Sequence, residues 1–182
     1  HCSLFTVHCS LFTVHCSLIS DDQMITESQI LAALQDVHDP EIPTLSVVEL
    51  GLIAEVQVDE NSAQVKMTPT FAGCHAVEMM RQAIEDRLRQ FGLAEVKVTI
   101  TYDPPWNSNR ITPEGRRKLK EFGLAPPVPY SGELNLIQII TVRCPFCDSH
   151  NTTMESPFGP TLCRSIHYCH DCQQSFEQFK PV

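Results

Sequence analysis

The sequence is short of positive charge: 13 Lys and Arg stand against 22 Asp and Glu, a formal net charge of −9 over 182 residues. Nucleic-acid binders neutralise phosphates with Lys and Arg, so this balance speaks against that class. It equally speaks against a seat on an anionic membrane surface. No apolar run approaches the ~18 residues that a membrane span needs. There is no Gly-rich dinucleotide fingerprint, no pair of Glu-x-x-His di-iron helices and no visible Ser-His-Asp arrangement. What remains is 42% hydrophobic and 19% charged. That composition suits a globular chain, either one compact domain or an ordinary domain with a small companion.

Cysteine is not scarce. There are nine, an odd number, and four of them form two C-x-x-C pairs. That pattern points to metal or redox chemistry rather than a disulfide scaffold, and to a reducing, cytoplasmic compartment.

Residues 1–18 carry the heptad HCSLFTV twice in full and then HCSL. The block lacks the helix formers and charged partners of a coiled coil. It also lacks the basic start and continuous apolar core of a signal peptide. We expect Met24 to be the natural start and 1–23 to be a non-native or disordered repeat segment.

From there the pattern reads α-β-β-α-β-α. Thr26-Glu27-Ser28-Gln29 has the form of a capping box, and Ile30, Leu31, Leu34 and Val37 follow at helical spacing. Pro40 and Pro43 stop that helix. Leu50–Val58 and Ala63–Thr68 read as strands joined at Asp59–Ser62. Val77, Met80, Ile84, Leu88 and Phe91 mark the second helix, with Gly92 as its C-cap. Glu95–Tyr102 alternates as a third strand, and Thr112-Pro113 opens a third helix that ends at Gly123. The fold class is therefore α+β: an assembly of these elements over 24–124, a stiff Pro-rich linker at 125–133, and a β module at 134–182. Strands are expected at Asn135–Val142 and near Ser175–Phe179.

In that module, Cys144, Cys147, Cys169 and Cys172 are the expected ligands of one ion. Two residues between thiolates let both sulfurs of a turn face one centre, and two such turns suit zinc. An iron–sulfur cluster is the rival, since four cysteines also satisfy one. Cys163 is a fifth thiol, read either as a small buried residue or as an alternative ligand. His150, His167 and His170 are read as surface groups or as neighbours of the site.

Two features of the first domain are candidates for chemistry. Asp39-Pro40-Glu41 ends the first helix, and its simplest reading is a solvated turn. Cys74 follows Gly73 at the start of the second helix, where amides and dipole should lower a thiol pKa. Its simpler reading is a small residue packing the helix start. His75 is a neighbour without an assigned role.

Three segments resemble the SufT-like iron–sulfur assembly domain: Asp39–Pro43, Val48–Ile53 and Met67–Cys74. Asp103–Trp106, Ile111–Arg116, Phe122–Pro127 and the tail from Cys144 through Ser156–Cys163 to Lys180 are similar to the PaaD (also PaaJ) family of the phenylacetyl-CoA oxygenase system. The likeness runs from Met24 to Val182. It implies a non-catalytic accessory or maturation subunit in aerobic phenylacetate breakdown. Its implied partners are the other oxygenase subunits, the di-iron or reductase component above all. Asp39, Glu41 and Cys74 become candidates for handling iron or a transient iron–sulfur cluster. A general SufT-like carrier is the alternative. Relatives often end with a cysteine after Phe-Lys, whereas here Pro181-Val182 follows Lys180.

Overall fold

The computed structural model describes residues 25–129 and 142–181. The repeat at 1–23, Met24 and most of the strand expected at Asn135–Val142 lie outside the described residues.

The body follows the expected order. Helix α1 (Glu27–Leu34) opens on a true capping box, with Thr26 N–H donating to Gln29 Oε1 at 2.8 Å and Gln29 N–H donating back to Thr26 Oγ1. Ile30, Ala33 and Leu34 form its buried face. Strands β1 (Ile53–Asp59) and β2 (Ser62–Met67) are antiparallel neighbours. In β2 the alternation seen in the sequence becomes alternate burial, with Ala63, Val65 and Met67 inward. Helix α2 (Val77–Gln90) crosses over to β3 (Glu95–Ile100), which pairs parallel with β2. Val77, Met80, Ile84 and Leu88 are buried at successive helical turns. A one-turn 3₁₀ helix (Ser108–Arg110) and α3 (Pro113–Glu121) complete the body.

Gly51 is required at its turn. Its φ is +68°, and a Cβ there would lie 2.3 Å from the Arg110 carbonyl oxygen. That close approach lets the Arg110 guanidinium donate to the carbonyls of Gly51 and Ile53, each at 2.8 Å.

A second sheet has the order β4-β7-β6-β5, built from β4 (Leu124–Ala125), β5 (Thr152–Ser156), β6 (Arg164–Cys169) and β7 (Gln174–Phe179). Two findings correct the expected boundary. Ala125 is not linker: with Leu124 it pairs parallel with β7. The prolines that follow are not a free spacer either, because the carbonyls of Pro127 and Val128 accept from Arg116 and Ser108 of the body. The physical reason is apolar burial. Leu124, Cys163 and Phe179 belong to the same core cluster as the body's Leu50, Ile84 and Trp106. Trp106 packs its ring 5.9 Å from that of Phe179 and donates to the Leu50 carbonyl at 2.9 Å. The β module is thus docked on the body rather than tethered beside it. Among the described residues no helix is long and apolar enough to cross a membrane.

A part-buried ion pair braces the loop after α1. Lys118 Nζ donates to Glu49 Oε1 at 2.6 Å, and Ser46 N–H donates to Glu49 Oε2 at 3.0 Å. Burial opposes the Glu49 charge, but the Lys118 and Ser46 contacts together hold its carboxyl below the ordinary carboxylate range. A carboxyl depressed by folding stabilises above its unfolded pKa, and that stability fades as pH falls through the folded value. Glu49→Gln should therefore cost about 2 kcal/mol at pH 7. The gap to wild type should shrink below about pH 4.3. Urea unfolding of both proteins at pH 7 and pH 3 checks this, and an equal gap at the two pH values would refute it.

Candidate metal centre and interdomain cavity

The ribbon centre is built by two turns at one end of the second sheet. Cys144 N–H donates to Ser149 O, and Asp148 N–H donates to Cys144 O at 3.0 Å, which closes the first C-x-x-C turn. The second turn leaves the end of β6 at Cys169 and enters β7 at Gln174. The residue after each turn's second cysteine, Asp148 or Gln173, takes a left-handed conformation with φ near +60°. L residues other than Gly take that conformation rarely. Here both turns use it to redirect the chain once the second sulfur is in place.

The four Sγ atoms all lie within 4.8 Å of one another. Cys144 and Cys172 sulfurs are 3.7 Å apart, and those of Cys147 and Cys169 are 3.6 Å apart. Two sulfurs ~2.3 Å from a tetrahedral zinc stand about 3.8 Å apart, so the donor set fits a closed zinc tetrathiolate. A multi-iron cluster would spread its thiolates over separate irons. The Cys169 thiol is drawn down to about 7, chiefly by the backbone N–H of Cys172. Zinc here would tie the two turns together and organise the strand ends, leaving no open position for substrate.

The histidines are not ligands of this centre. His150 meets Arg143 at 3.0 Å, and His170 meets Thr153 at 3.2 Å. His167 is not a surface group: it is fully buried, stacked on Phe176, and burial pushes its pKa down to about 4.

Cys163 also leaves the position of alternative ligand. It precedes β6 whereas Cys169 ends it, and six residues of extended chain separate them by about 20 Å. Among the described residues it is not a member of the four-sulfur group. It lines a different site, a cavity of about 220 Å³ between body and ribbon. The body contributes Glu41, Phe71, Cys74 and His75, and the ribbon contributes the loop Phe158–Cys163.

Each wall of the cavity has a local cause. Asp39 is half-buried, and its Oδ1 accepts from Glu41 N–H at 2.7 Å and Ile42 N–H at 3.0 Å. It is therefore the cap that shapes the Asp-Pro-Glu turn, not a solvated residue. Burial pushes its carboxyl above the ordinary range despite those two donors. Glu41 lines the cavity, and its carbonyl accepts from Arg164 Nη2 at 2.9 Å. Arg164 Nη1 pairs with Glu177 at 2.9 Å, so one buried guanidinium links β6, β7 and the turn. Gly159 leaves room for that strand, since a Cβ there would lie 2.9 Å from Arg164 Cβ. Leu162 leans over Gly73, and Lys180 Nζ sits 5.7 Å from the Phe71 ring and 5.8 Å from the Phe158 ring.

Cys74 is half-buried just before α2, whose N-cap is Ala76. The expected lowering of its pKa is not found. Burial pushes the thiol up, and the carboxylates of Glu41 and Asp39 add to this. The N–H groups of Ala76 and Val77 pull the other way and are outweighed. Cys163 is likewise pushed up, first by burial. The residues that sequence reasoning did not place here are those of the Phe158–Cys163 loop. Their signal was present in Ser156–Cys163, but nothing local says which cavity that loop closes.

The architecture thus defines a class: an α+β body capped by a β-ribbon with four cysteines gathered at one end. Family models agree, with "Iron-sulfur cluster assembly protein" matching residues 27–102 and "PaaD zinc beta ribbon domain" matching 136–180. An Escherichia coli K12 protein described as the D component of 1,2-phenylacetyl-CoA epoxidase is 36% identical over 154 residues, covering 85% of this chain and 92% of that protein. The chain belongs to this PaaD family of 1,2-phenylacetyl-CoA epoxidase components. An Fe-S protein maturation auxiliary factor of Porphyromonas gingivalis is 31% identical over 103 residues, 56% of this chain and 97% of its own length. A solved domain of unknown function from Bacillus anthracis aligns with a TM-score of 0.48 and 30% identity, over 51% of this chain and 90% of that one.

Proposed function

We propose that this chain is a non-catalytic accessory component of a phenylacetyl-CoA oxygenase, acting in the cytoplasm on the metal or iron–sulfur centre of a partner protein. Cys74 is the handling thiol, Glu41 lies beside it, and Asp39 shapes the turn that presents Glu41. The partner is the di-iron or the reductase component. One observation carries this reading above the others: a half-buried, unpaired Cys74 shares an interdomain cavity with Glu41 and His75. Carboxylates beside the thiol disfavour a bare thiolate and favour a cation that takes the place of the thiol proton. The closed ribbon centre has no open position for such traffic.

A general iron–sulfur carrier is the second reading, favoured by a maturation factor that aligns over 103 residues, 97% of its own length but only 56% of this chain. The docked ribbon favours the dedicated role, because it supplies one wall of the cavity.

Replacement of Cys74 by Ser in the producing cell should leave the protein folded and lower oxygenase activity about tenfold or more, the loss typical when a metal site is disturbed. Normal activity in that strain would defeat the reading. Broad loss of iron–sulfur enzymes on deleting the chain would favour the general carrier.

A further inference from the structure

We propose that Cys163 is the second thiolate of a metal site shared between body and ribbon, binding a thiophilic divalent cation of the ferrous type together with Cys74. This rests on Cys74 being a metal-handling residue and adds what the ribbon contributes to that task.

Four observations meet here. Both cysteines line one cavity, Cys74 from the turn before α2 and Cys163 from the loop before β6. Neither is in a disulfide. The cavity also receives a carboxylate, Glu41, and an imidazole, His75. Two thiols, a carboxylate and an imidazole form a mixed donor set for iron or zinc, with the thiolates selecting against magnesium and calcium. Finally, the wall that carries Cys163 is held in place. Lys180 N–H donates to the Cys163 carbonyl at 2.8 Å, and Arg164 ties the strand after it to the backbone of Glu41.

The site differs in kind from the ribbon centre. Among the described residues only the four ribbon sulfurs form a group of ligand atoms all within 4.8 Å. The cavity donors stand wider than those sulfurs, on walls that Arg164 already ties together. Such a site is weaker and exchangeable, as cargo handling requires. Binding displaces one proton from each thiol to solvent and leaves the metal's oxidation state unchanged.

The test uses the full chain, purified anaerobically with zinc in the ribbon, and Co(II) as probe. Zinc outcompetes cobalt in the ribbon, so added Co(II) reports the second site. Wild type should take up one Co(II) with thiolate-to-metal charge-transfer absorption. Cobalt-edge X-ray absorption should find two sulfur neighbours. Cys163→Ser and Cys163→Ala should each lose about half of that absorption and bind about tenfold more weakly or worse. One sulfur on the wild-type cobalt, or Cys163 variants that match wild type while Cys74→Ser loses the band, would overturn the shared site and leave Cys74 standing. Absence of any thiolate-bound Co(II) in the wild type would remove both.

Discussion

Stripping the ribbon ion with a chelator, or replacing Cys169 by Ser, will unfold the ribbon and weaken the body with it. The ribbon's own core cluster holds only Ala125, Val142, Cys144, Cys169 and Phe176, with Cys172 packed against it. Three of those six side chains are metal ligands, so their packing cannot be separated from the ion. Apparent zinc binding energies of about 10–16 kcal/mol in small zinc modules exceed what so few apolar contacts supply. The damage then crosses the junction, because Phe179 and Cys163 belong to the body's core. Loss of Phe179 packing alone is worth about 3–5 kcal/mol, or a fall in Tm of roughly 10 °C for a chain of this size. Trp106 is the single tryptophan and lies at that junction. Its emission should shift to the red as the ion leaves. A metal-free protein with unchanged Tm and unchanged emission would show that the ribbon folds without it.

Trp106→Ala should cost about 3–5 kcal/mol. The ring is buried, meets Phe179 and donates to the Leu50 carbonyl. Removal leaves a void between body and ribbon and an orphaned carbonyl beside the turn at Gly51. Trp106→Phe separates the two effects. It keeps most of the ring contact and loses only the hydrogen bond, so about 1 kcal/mol is expected. Chemical denaturation of both variants in the zinc-loaded protein measures the difference. Equal losses would mean that the hydrogen bond, not the packing, secures the junction. Because the junction also sets the cavity's walls, Trp106→Ala should loosen Co(II) binding in the cavity while leaving the ribbon ion bound.

Much of this was legible in the chain before folding. The capping box at Thr26, the alternation of Ala63–Met67 and the helical spacing of Val77, Met80, Ile84 and Leu88 each report a local preference. Each became the expected element within a few residues. The two C-x-x-C pairs named their four sulfurs for the same reason: the geometry of one turn is set by the residues in that turn. The strands β5 and β6 were not anticipated. Thr152–Ser156 and Arg164–Cys169 carry polar and histidine residues whose pairing depends on the ion at one end and the body at the other.

The thiols show most clearly where local reading stops. Cys163 stands close to Cys169 in sequence and was a natural spare ligand, yet an extended strand carries it to the far end of the sheet. Cys74 and Cys163 are distant in sequence and share a cavity only because Phe179 and Leu124 bury themselves against the body. The pKa of Cys74 follows the same rule. A helix start argued for a lowered value, while burial and two carboxylates, present only after folding, raise it. The elements of the body, the acidic character and the two C-x-x-C turns depend on composition or on neighbours along the chain, and the residues in order were enough to set them. Which surfaces close on Cys74 depends on long-range apolar burial, so it was left to the folded chain, and no local spacing records it.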